Sequence, residues 1–168
     1  MSDIERWSTW SKLGLWPERI KLAAEWIPRA STVLDLGCGD MSLERHLVDC
    51  CYIPCDVVKR DGRTIVCDLN AARPRVPVHP THIVALGLLE YITDPPALVE
   101  FFGQARCAVI TSYHPTDLDT TTFRSAEGWL NALSLHDIIL MFNNAGMTLT
   151  HRRPVNTSQE LYKFEVRS

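Results

Sequence analysis

The residues with the clearest chemical potential form one short acidic, glycine-containing segment, DLGCGD, from Asp35 to Asp40. Glycine lets the backbone approach a ligand closely, because no Cβ stands in the way. The two carboxylates are badly placed for a phosphate and suit a ligand that carries positive charge. The segment therefore predicts a binding site for a cationic organic molecule.

A nicotinamide dinucleotide is the main alternative ligand for a glycine turn of this kind. Its binding loop reads GxGxxG and directs a helix N-terminus at a pyrophosphate. In this sequence the third glycine is absent, and Asp35 stands before the first. The pattern disfavours a nicotinamide-dependent oxidoreductase, although it leaves that class open.

Two further acids close the next two predicted strands. Asp56 follows the run from Tyr52 to Cys55 and lies 21 residues after Asp35, and Asp68 follows Cys67. A carboxylate at the position of Asp56 can accept both hydroxyls of a ribose. In parallel sheets, ligands bind beyond the carboxyl ends of the strands. We therefore expect Asp35, Asp56 and Asp68 to lie at one edge of a sheet.

The DLGCGD segment resembles the glycine-rich first motif of class I S-adenosylmethionine-dependent methyltransferases, an acidic residue and any residue followed by G-x-G. The resemblance implies that Gly37, Cys38 and Gly39 pass close to the methionine part of S-adenosyl-L-methionine. It implies that Asp35 organises the site near the methionine amino group. It also implies that the carboxylate of Asp56 accepts the ribose hydroxyls of the cofactor.

Two later segments extend this resemblance. It implies that the carboxylate of Asp68 accepts the adenine amino group and that the backbone N–H of Leu69 meets a ring nitrogen. The segment LGLLEY, Leu86–Tyr91, is similar to the stretch that follows the family's fourth strand. Gly87 is then expected beside the cofactor, and Glu90 is expected to hold the loop.

The acceptor side is predicted from the loop that follows the fifth strand. Tyr113 and His114 could orient a hydroxyl, amine or carboxylate, and His114 could act as a general base. The alternative is that Tyr113 packs in the core and His114 is an ordinary loop residue. Arg124 and Trp129 fall in the segment that would cover the site, which favours an anionic or ring-containing acceptor.

Nucleic acid is a disfavoured substrate. The formal net charge is −3, so the chain has no basic footprint for a phosphate backbone. The segment Asp94–Ala97, DPPA, lies too late after the fourth strand for a base-amino methyltransferase motif and lacks the aromatic residue. Two basic groups are predicted to be solvated surface: Lys59, Arg60 and Arg63, and Arg152 and Arg153.

Composition predicts a cytoplasmic protein with no membrane segment. The chain has 168 residues, 46% of them hydrophobic and 22% charged, which suits one globular domain. Its longest apolar runs, such as Ile83–Leu89, are strand-sized, and the N-terminus lacks the features of a signal peptide. The six cysteines are expected to be thiols, and the spacing of Cys50, Cys51 and Cys55 does not match a zinc site, so no metal is predicted.

Strand and helix patterns alternate along the chain. The first thirty residues predict two helical pieces, interrupted at Gly14 and Pro17, and the tryptophans there form either a lid or a packing face. Further helices are predicted at Ser42–Val48, Pro95–Ala105 and Ser134–Asn144. Ser134 can cap the last of these helices, with Asp137 three residues on. The predicted strands are Thr32–Leu36, Tyr52–Val58, Thr64–Cys67, His82–Leu86, Cys107–Ser112, Met147–Arg153 and Leu161–Val166.

This order predicts an α/β fold with a doubly wound, mainly parallel seven-stranded sheet, helices on both faces and a C-terminal antiparallel hairpin at one edge. We expect a single methyltransferase domain over residues 1–168. Residues 1–29 form a helical cap, 30–112 the cofactor-binding core, and 113–168 the acceptor-side segment and closing hairpin.

The predicted function is methyl transfer from S-adenosyl-L-methionine to an oxygen or nitrogen atom of an acceptor, with a small molecule favoured. Positioning and desolvation would supply most of the catalysis. Two alternatives stay open: a non-catalytic binding module that keeps the fold, and an RNA methyltransferase.

Overall fold

The computed structural model describes residues 7–8, 17–118, 124 and 126–167. Most of the first predicted N-terminal helical piece lies outside this range, although Trp7 and Ser8 are helical. The threonine run 120–122 lies outside it as well. The second piece begins at Pro17, as predicted, because proline suits the first turn of a helix.

Seven strands and three α-helices make up the described fold. The strands are β1 (Thr32–Leu36), β2 (Cys51–Asp56), β3 (Ile65–Val66), β4 (His82–Leu86), β5 (Ala108–Tyr113), β6 (Met147–Pro154) and β7 (Glu160–Val166). The α-helices are α1 (Pro17–Ala24), α2 (Pro95–Ala105) and α3 (Leu135–Asn144). Two short 3₁₀ helices span Ser42–His46 and Leu89–Tyr91.

All seven strands belong to one sheet with the order β3-β2-β1-β4-β5-β7-β6. The first five strands, β1 to β5, are parallel to one another, and β7 is antiparallel to both of its neighbours, β5 and β6. The strand order reverses between β1 and β4, which in open α/β sheets creates a ligand crevice beyond the carboxyl ends. The predicted fold class is confirmed.

The C-terminal hairpin joins one edge of the sheet in antiparallel orientation, as predicted, and its two strands lie out of chain order. β7 inserts between β5 and β6, so β6 forms the edge of the sheet. The reason is burial: Leu161, Tyr162 and Phe164 of β7 are fully buried. Most side chains of β6 after Met147 are exposed, as suits an edge strand.

Alternate residues of the central strands supply two cores, one on each face of the sheet. Leu34 and Leu36 of β1 pack with α2 and α3 on one face. Val33 of β1 packs on the other face, where the core includes Leu22 of α1 and Leu43 of the first 3₁₀ helix. The period of two along a strand therefore places helices on both faces, as predicted.

Both long helices have the predicted starts. Ser134 and Asp137 form a reciprocal capping box at α3, and Asp94 accepts a hydrogen bond from the backbone N–H of Ala97 at α2. These caps satisfy N–H groups that lack partners within the helix. α2 runs from Pro95 to Ala105, the predicted range.

Three elements are shorter than predicted, and one of them is β2, which ends at Asp56 and not at the predicted Val58. The helix predicted over Ser42–Val48 is a 3₁₀ helix, Ser42–His46, preceded by Met41 in the left-handed region with φ 58° and without a side-chain cap. The third strand is reduced to Ile65–Val66. Its predicted first residue, Thr64, belongs to a turn instead, because its hydroxyl accepts hydrogen bonds from the N–H groups of Arg60 and Asp61.

Candidate functional site

The glycine turn after β1 is fixed to the end of β2. The N–H groups of Gly37 and Cys38 donate to the carbonyl of Cys55, at 2.8 and 3.1 Å, and the N–H of Gly39 donates to Oδ2 of Asp56 at 2.9 Å. Gly37 has φ 69°, a conformation that favours glycine. The turn is exposed at Gly37 and buried at Cys38. Four of the predicted cofactor residues therefore lie side by side.

Asp35 is buried just before this turn, at 5% exposure. Its Oδ2 accepts a hydrogen bond from the hydroxyl of Tyr52 at 2.7 Å. Burial raises the pKa of Asp35 to about 7, against the opposing influence of the Tyr52 hydrogen bond and the nearby guanidinium of Arg19. A carboxylate with such a raised pKa is deprived of solvation, and a cationic ligand group beside it would favour its charged form.

Asp56, the predicted ribose residue, is already engaged by the protein. Its Oδ1 accepts from the N–H of Val58 at 2.9 Å and from Nη2 of Arg60 at 3.2 Å, in addition to the bond from Gly39 to Oδ2. Both carboxylate oxygens can accept further bonds, so ligand hydroxyls would share this group with the backbone. The prediction that Arg60 is solvated surface was wrong, since its side chain is 12% exposed and pairs with Asp56.

Asp68 and Leu69 follow β3 on the same side of the sheet. Asp68 is exposed and accepts the N–H of Asn70 at 2.9 Å, and Leu69 is buried. Asn70 donates to the carbonyl of Tyr91 and accepts from the N–H of Thr93, which ties this loop to the one after β4. A groove of about 390 Å³ adjoins Asp68, lined by Ile65, Val66, Cys67, Ala71, Ala72, Arg73, Pro74 and Arg75.

Gly87 is in contact with Arg19 of α1, a residue that the sequence did not predict at the site. Gly87 has φ 62°, and its N–H donates to Oγ of Ser112 at 2.9 Å. A Cβ added to Gly87 would lie only 2.5 Å from Nη1 of Arg19, so the guanidinium lies directly against the glycine backbone. The sequence predicted the helix of Arg19 but carried no signal for this contact, because the docking of α1 decides it.

On the acceptor side, Tyr113 anchors the segment that follows β5. Its ring is fully buried, and its hydroxyl donates to Asn131 and accepts from Nη2 of Arg124 at 3.0 Å and from the N–H of Leu133 at 3.1 Å. An acceptor molecule would reach this hydroxyl only by displacing one of these partners. The structure therefore gives Tyr113 a packing role, and its catalytic role stays a prediction.

His114 lies in a buried cluster of polar and aromatic side chains. Its Nδ1 is 2.9 Å from Oε1 of Glu90, which is 1% exposed, and its ring stacks on Trp129 at 4.6 Å between centroids. The guanidinium carbon of Arg124 lies over the Trp129 ring, 4.8 Å from its centroid. Tyr113, His114, Arg124 and Trp129 thus come together, while the link between His114 and Glu90 was not predicted.

Trp7 reaches across from one side of the site to the other. Its carbonyl accepts from Nη1 of Arg60 at 3.4 Å, and its ring meets Tyr91 edge-on, with 4.8 Å between centroids. Arg60 follows β2 and Tyr91 follows β4. The N-terminal segment therefore contacts both sides of the candidate site, and its role as a lid stays a prediction.

All six cysteines are free thiols. Among the described residues, no group of three His, Cys, Asp or Glu side chains could hold a metal ion. Over the same ranges, none of the helices has the length and apolar character needed to cross a membrane.

Comparison with known proteins assigns the fold to a class. No protein-family model and no curated protein matches the sequence. The structure is similar to a chain from the complex between the Haloferax volcanii Trm112 methyltransferase activator and its proposed methyltransferase partner. That match has a TM-score of 0.80 and 12% identity, and it covers 99% of this chain and 98% of the other.

Two further structures agree with that match. The N-methyltransferase NodS of Bradyrhizobium japonicum, in complex with S-adenosylhomocysteine, has a TM-score of 0.71, 12% identity, and coverage of 98% of this chain and 97% of its own. The 1,6-didemethyltoxoflavin-N1-methyltransferase of Burkholderia thailandensis has a TM-score of 0.73, 11% identity, and coverage of 98% and 88%. This chain has the fold of class I, Rossmann-like S-adenosylmethionine-dependent methyltransferases.

Proposed function

We propose that this protein is an S-adenosylmethionine-dependent methyltransferase that acts on an oxygen or nitrogen atom of a small molecule. The observation that carries the proposal is the buried carboxylate of Asp35 beside a glycine turn that is bonded to Asp56, at the point where the strand order reverses. In doubly wound sheets this is where ligands bind. The acidic surroundings suit a cofactor with ammonium and sulfonium charges.

The residues present fit that cofactor. Gly37 is exposed and has no Cβ, so it offers backbone for the methionine part to lie against, and Asp35 offers the carboxylate for its ammonium group. Asp56 retains accepting capacity for ribose hydroxyls, and Asp68, which is exposed, is available for the adenine amino group. Bound S-adenosylmethionine would supply an electrophilic methyl group.

His114 is the best candidate for accepting a proton from the acceptor. The carboxylate of Glu90 next to Nδ1 favours the tautomer with the proton on Nδ1, which makes Nε2 the basic nitrogen. Trp129, stacked on the His114 ring, restricts the ring's orientation. This arrangement supports a positioned base, whose contribution is typically of the order of 10²–10⁴-fold in rate.

The first test is calorimetric titration with S-adenosylmethionine and S-adenosylhomocysteine. We compare the wild-type protein with Asp56→Asn, which removes the charge from the proposed ribose residue and keeps its shape. Asp49→Asn, on the exposed loop before β2, is the matched control. We expect micromolar binding by the wild type and by Asp49→Asn, and a loss of roughly ten-fold or more in Asp56→Asn. No binding by wild type up to millimolar concentration would overturn the proposal.

Catalysis requires a second measurement, because a non-catalytic module would also bind the cofactor. Methyl-labelled S-adenosylmethionine is incubated with the protein and a small-molecule extract, and labelled products are counted. We expect label transfer by wild type and by Asp49→Asn, and greatly reduced transfer by Asp56→Asn. Binding without transfer to any acceptor would favour the non-catalytic module.

A further inference from the structure

We propose that the acceptor of methyl transfer is an amine that carries N–H groups, bound by Glu90 and Gln159 beside His114, an inference that rests on the proposed function. Three chain segments meet at this cluster. Glu90 lies in the 3₁₀ helix after β4, His114 follows β5, and Gln159 precedes β7. No sequence pattern assigned a role to Gln159, and contact with the acceptor would make the β6–β7 hairpin loop part of the site.

The register of the sheet brings Gln159 to the carboxyl edge. Glu160, the first residue of β7, pairs with Tyr113, the last residue of β5. Gln159 and His114 are therefore neighbours just beyond the end of β5. In such sheets this is the edge at which ligands bind, and the glycine turn lies on the same edge.

Glu90 and Gln159 both reach one ring nitrogen of His114. Oε1 of Glu90 is 2.9 Å from Nδ1, and Nε2 of Gln159 is 3.5 Å from the same atom. Glu90 is 1% exposed and Gln159 is fully buried. With the proton of Nδ1 directed at Glu90, that nitrogen has no lone pair for the amide of Gln159, so the longer contact does not hold the amide in place.

Two oxygens of this cluster lack a hydrogen-bond donor. Over the described part of the chain, Oε2 of Glu90 and Oε1 of Gln159 are the buried side-chain oxygens without a hydrogen-bond partner. A buried polar atom without a partner is unfavourable, and such atoms are rare in folded proteins. Two of them beside the proposed base indicate that a ligand supplies the missing donors.

The need for donors selects the chemistry of the ligand. A primary amine presents at least two N–H donors, and so does a secondary amine in its ammonium form, which is one donor for each oxygen. A hydroxyl presents a single O–H donor, and a carboxylate presents none. An amine therefore satisfies both oxygens, whereas an alcohol leaves one of them unpaired and an acid leaves both.

The arginines near the cluster do not replace these donors. Arg19 interacts electrostatically with Glu90, and Nη2 of Arg124 donates to the hydroxyl of Tyr113 and to the carbonyl of His114. Neither guanidinium donates to the two unpaired oxygens. Arg124 thus holds the segment after β5, and the anionic acceptor that it suggested in the sequence fits the cluster less well than an amine.

Access to the cluster depends on a covering side chain. Both unpaired oxygens are inaccessible to solvent. Trp129 stacks on the ring of His114, and it is itself partly exposed. Movement of this ring away from His114 would open the cluster to an acceptor.

An amine bound in its ammonium form must lose one proton before its nitrogen has a lone pair for the transfer. Nε2 of His114 would take that proton, and the carboxylate of Glu90 at Nδ1 would stabilise the imidazolium that results. The nitrogen then bonds to the methyl carbon while the carbon–sulfur bond breaks, and the electron pair of that bond stays on sulfur.

Selective blocking of amines tests the substrate class with wild-type protein alone. The small-molecule extract is treated with acetic anhydride, which acetylates amines and hydroxyls, and then with hydroxylamine, which restores hydroxyls and leaves the amides. Label transfer from methyl-labelled S-adenosylmethionine to this extract is compared with transfer to extract treated only with hydroxylamine. We expect amine blocking to lower the transfer roughly ten-fold or more, because the site is built around N–H donors.

Gln159→Met tests the contact with Gln159. Methionine keeps the length of the side chain and lacks the amide oxygen, and Gln104→Met, on the exposed face of α2, is the matched control. We expect the extract concentration that gives half-maximal transfer to rise about ten-fold in Gln159→Met and to stay unchanged in Gln104→Met. Affinity for S-adenosylhomocysteine, which reports an intact fold, should be the same in both variants and in the wild type.

The outcomes separate this inference from the proposed function. Undiminished transfer to the amine-blocked extract would overturn the amine and leave the methyltransferase standing. A half-maximal concentration that was unchanged in Gln159→Met would overturn the contact with Gln159, because a residue with only a structural role would not affect it. No transfer by wild type to the untreated extract would remove the proposed function, and this inference with it.

Discussion

At the scale of single residues, the buried carboxyl group of Asp35 makes the stability of the fold depend on pH. Its pKa in the folded protein is about 7, against an ordinary value of 3.8, because burial disfavours the charged form. Between these two values the folded state holds a proton that the unfolded state releases. The contribution of Asp35 to the free energy of unfolding is therefore greatest below pH 4, declines as pH rises towards 7, and stays low above that.

The substitution Asp35→Asn should remove this pH dependence. Asparagine keeps an oxygen that can accept the hydroxyl of Tyr52, and it cannot ionise. We expect the stability of Asp35→Asn relative to wild type to increase between pH 5 and pH 8 by roughly 2–4 kcal/mol, the scale of a pKa raised from 3.8 to about 7. Urea unfolding at the two pH values measures the change.

The exposed residue Asp49 gives the control for this experiment. Asp49→Asn should differ from wild type by the same small amount at pH 5 and pH 8. We also expect Asp35→Asn to bind S-adenosylhomocysteine more weakly, since it cannot pair with an ammonium group. A variant that was no more stable at pH 8 and bound the ligand as wild type does would show that Asp35 is solvated and plays no part in the site.

At the scale of elements, the contact between α2 and α3 depends on one glycine. Gly103 lies in the last turns of α2, where a Cβ would lie on the carbonyl oxygen of Ala145 at the end of α3. This close approach allows Phe102 of α2 and Phe142 of α3 to bury fully in the same core. Glycine weakens the helix interior by about 1 kcal/mol, so the packing gain must exceed this loss.

Gly103→Ala should therefore destabilise the protein by about 1–3 kcal/mol, as expected for a group forced against rigid backbone. Gln104→Ala, at the neighbouring exposed position, is the control and should change stability by no more than about 0.5 kcal/mol. Urea unfolding of both variants measures the difference. An increase in stability of Gly103→Ala, which helix propensity alone would give, would show that the two helices do not approach as described.

Over the whole molecule, one sheet joins two cores and carries the candidate site at its carboxyl edge. The core of α2 and α3 and the core of α1 share the central strands β1, β4 and β5. The loops that hold the candidate site begin at the carboxyl ends of strands of this sheet. A ligand that binds only the folded chain should therefore stabilise the molecule as a unit.

A thermal-shift comparison uses this property to separate the candidate cofactors. At a concentration about 100 times its dissociation constant, S-adenosylhomocysteine should stabilise the fold by about 2.7 kcal/mol, which raises Tm by roughly 5–10 °C in a chain of this size. We expect no shift with NAD or NADH at equal concentration. A Tm shift with NAD or NADH and none with S-adenosylhomocysteine would favour a nicotinamide-dependent oxidoreductase over a methyltransferase.

Much of the fold followed from local patterns in the sequence. The strand His82–Leu86, the helix Pro95–Ala105 and the capping box at Ser134 were predicted within a residue because apolar runs, proline at a first turn and an N-cap pair act locally. The glycine turn between Asp35 and Asp40 was likewise evident from residue types alone. These features determined the fold class and the location of the proposed cofactor site.

Tertiary structure decided what depends on contacts between distant residues. Arg19 meets Gly87 only because α1 docks on the sheet, Glu90 meets His114 only because β4 and β5 are neighbours, and β7 enters between β5 and β6 because its side chains need burial on both faces. No local pattern encodes such pairings. The sequence by itself therefore determined most of the helices and strands and the acidic glycine turn. Long-range packing determined which charged side chains surround that turn.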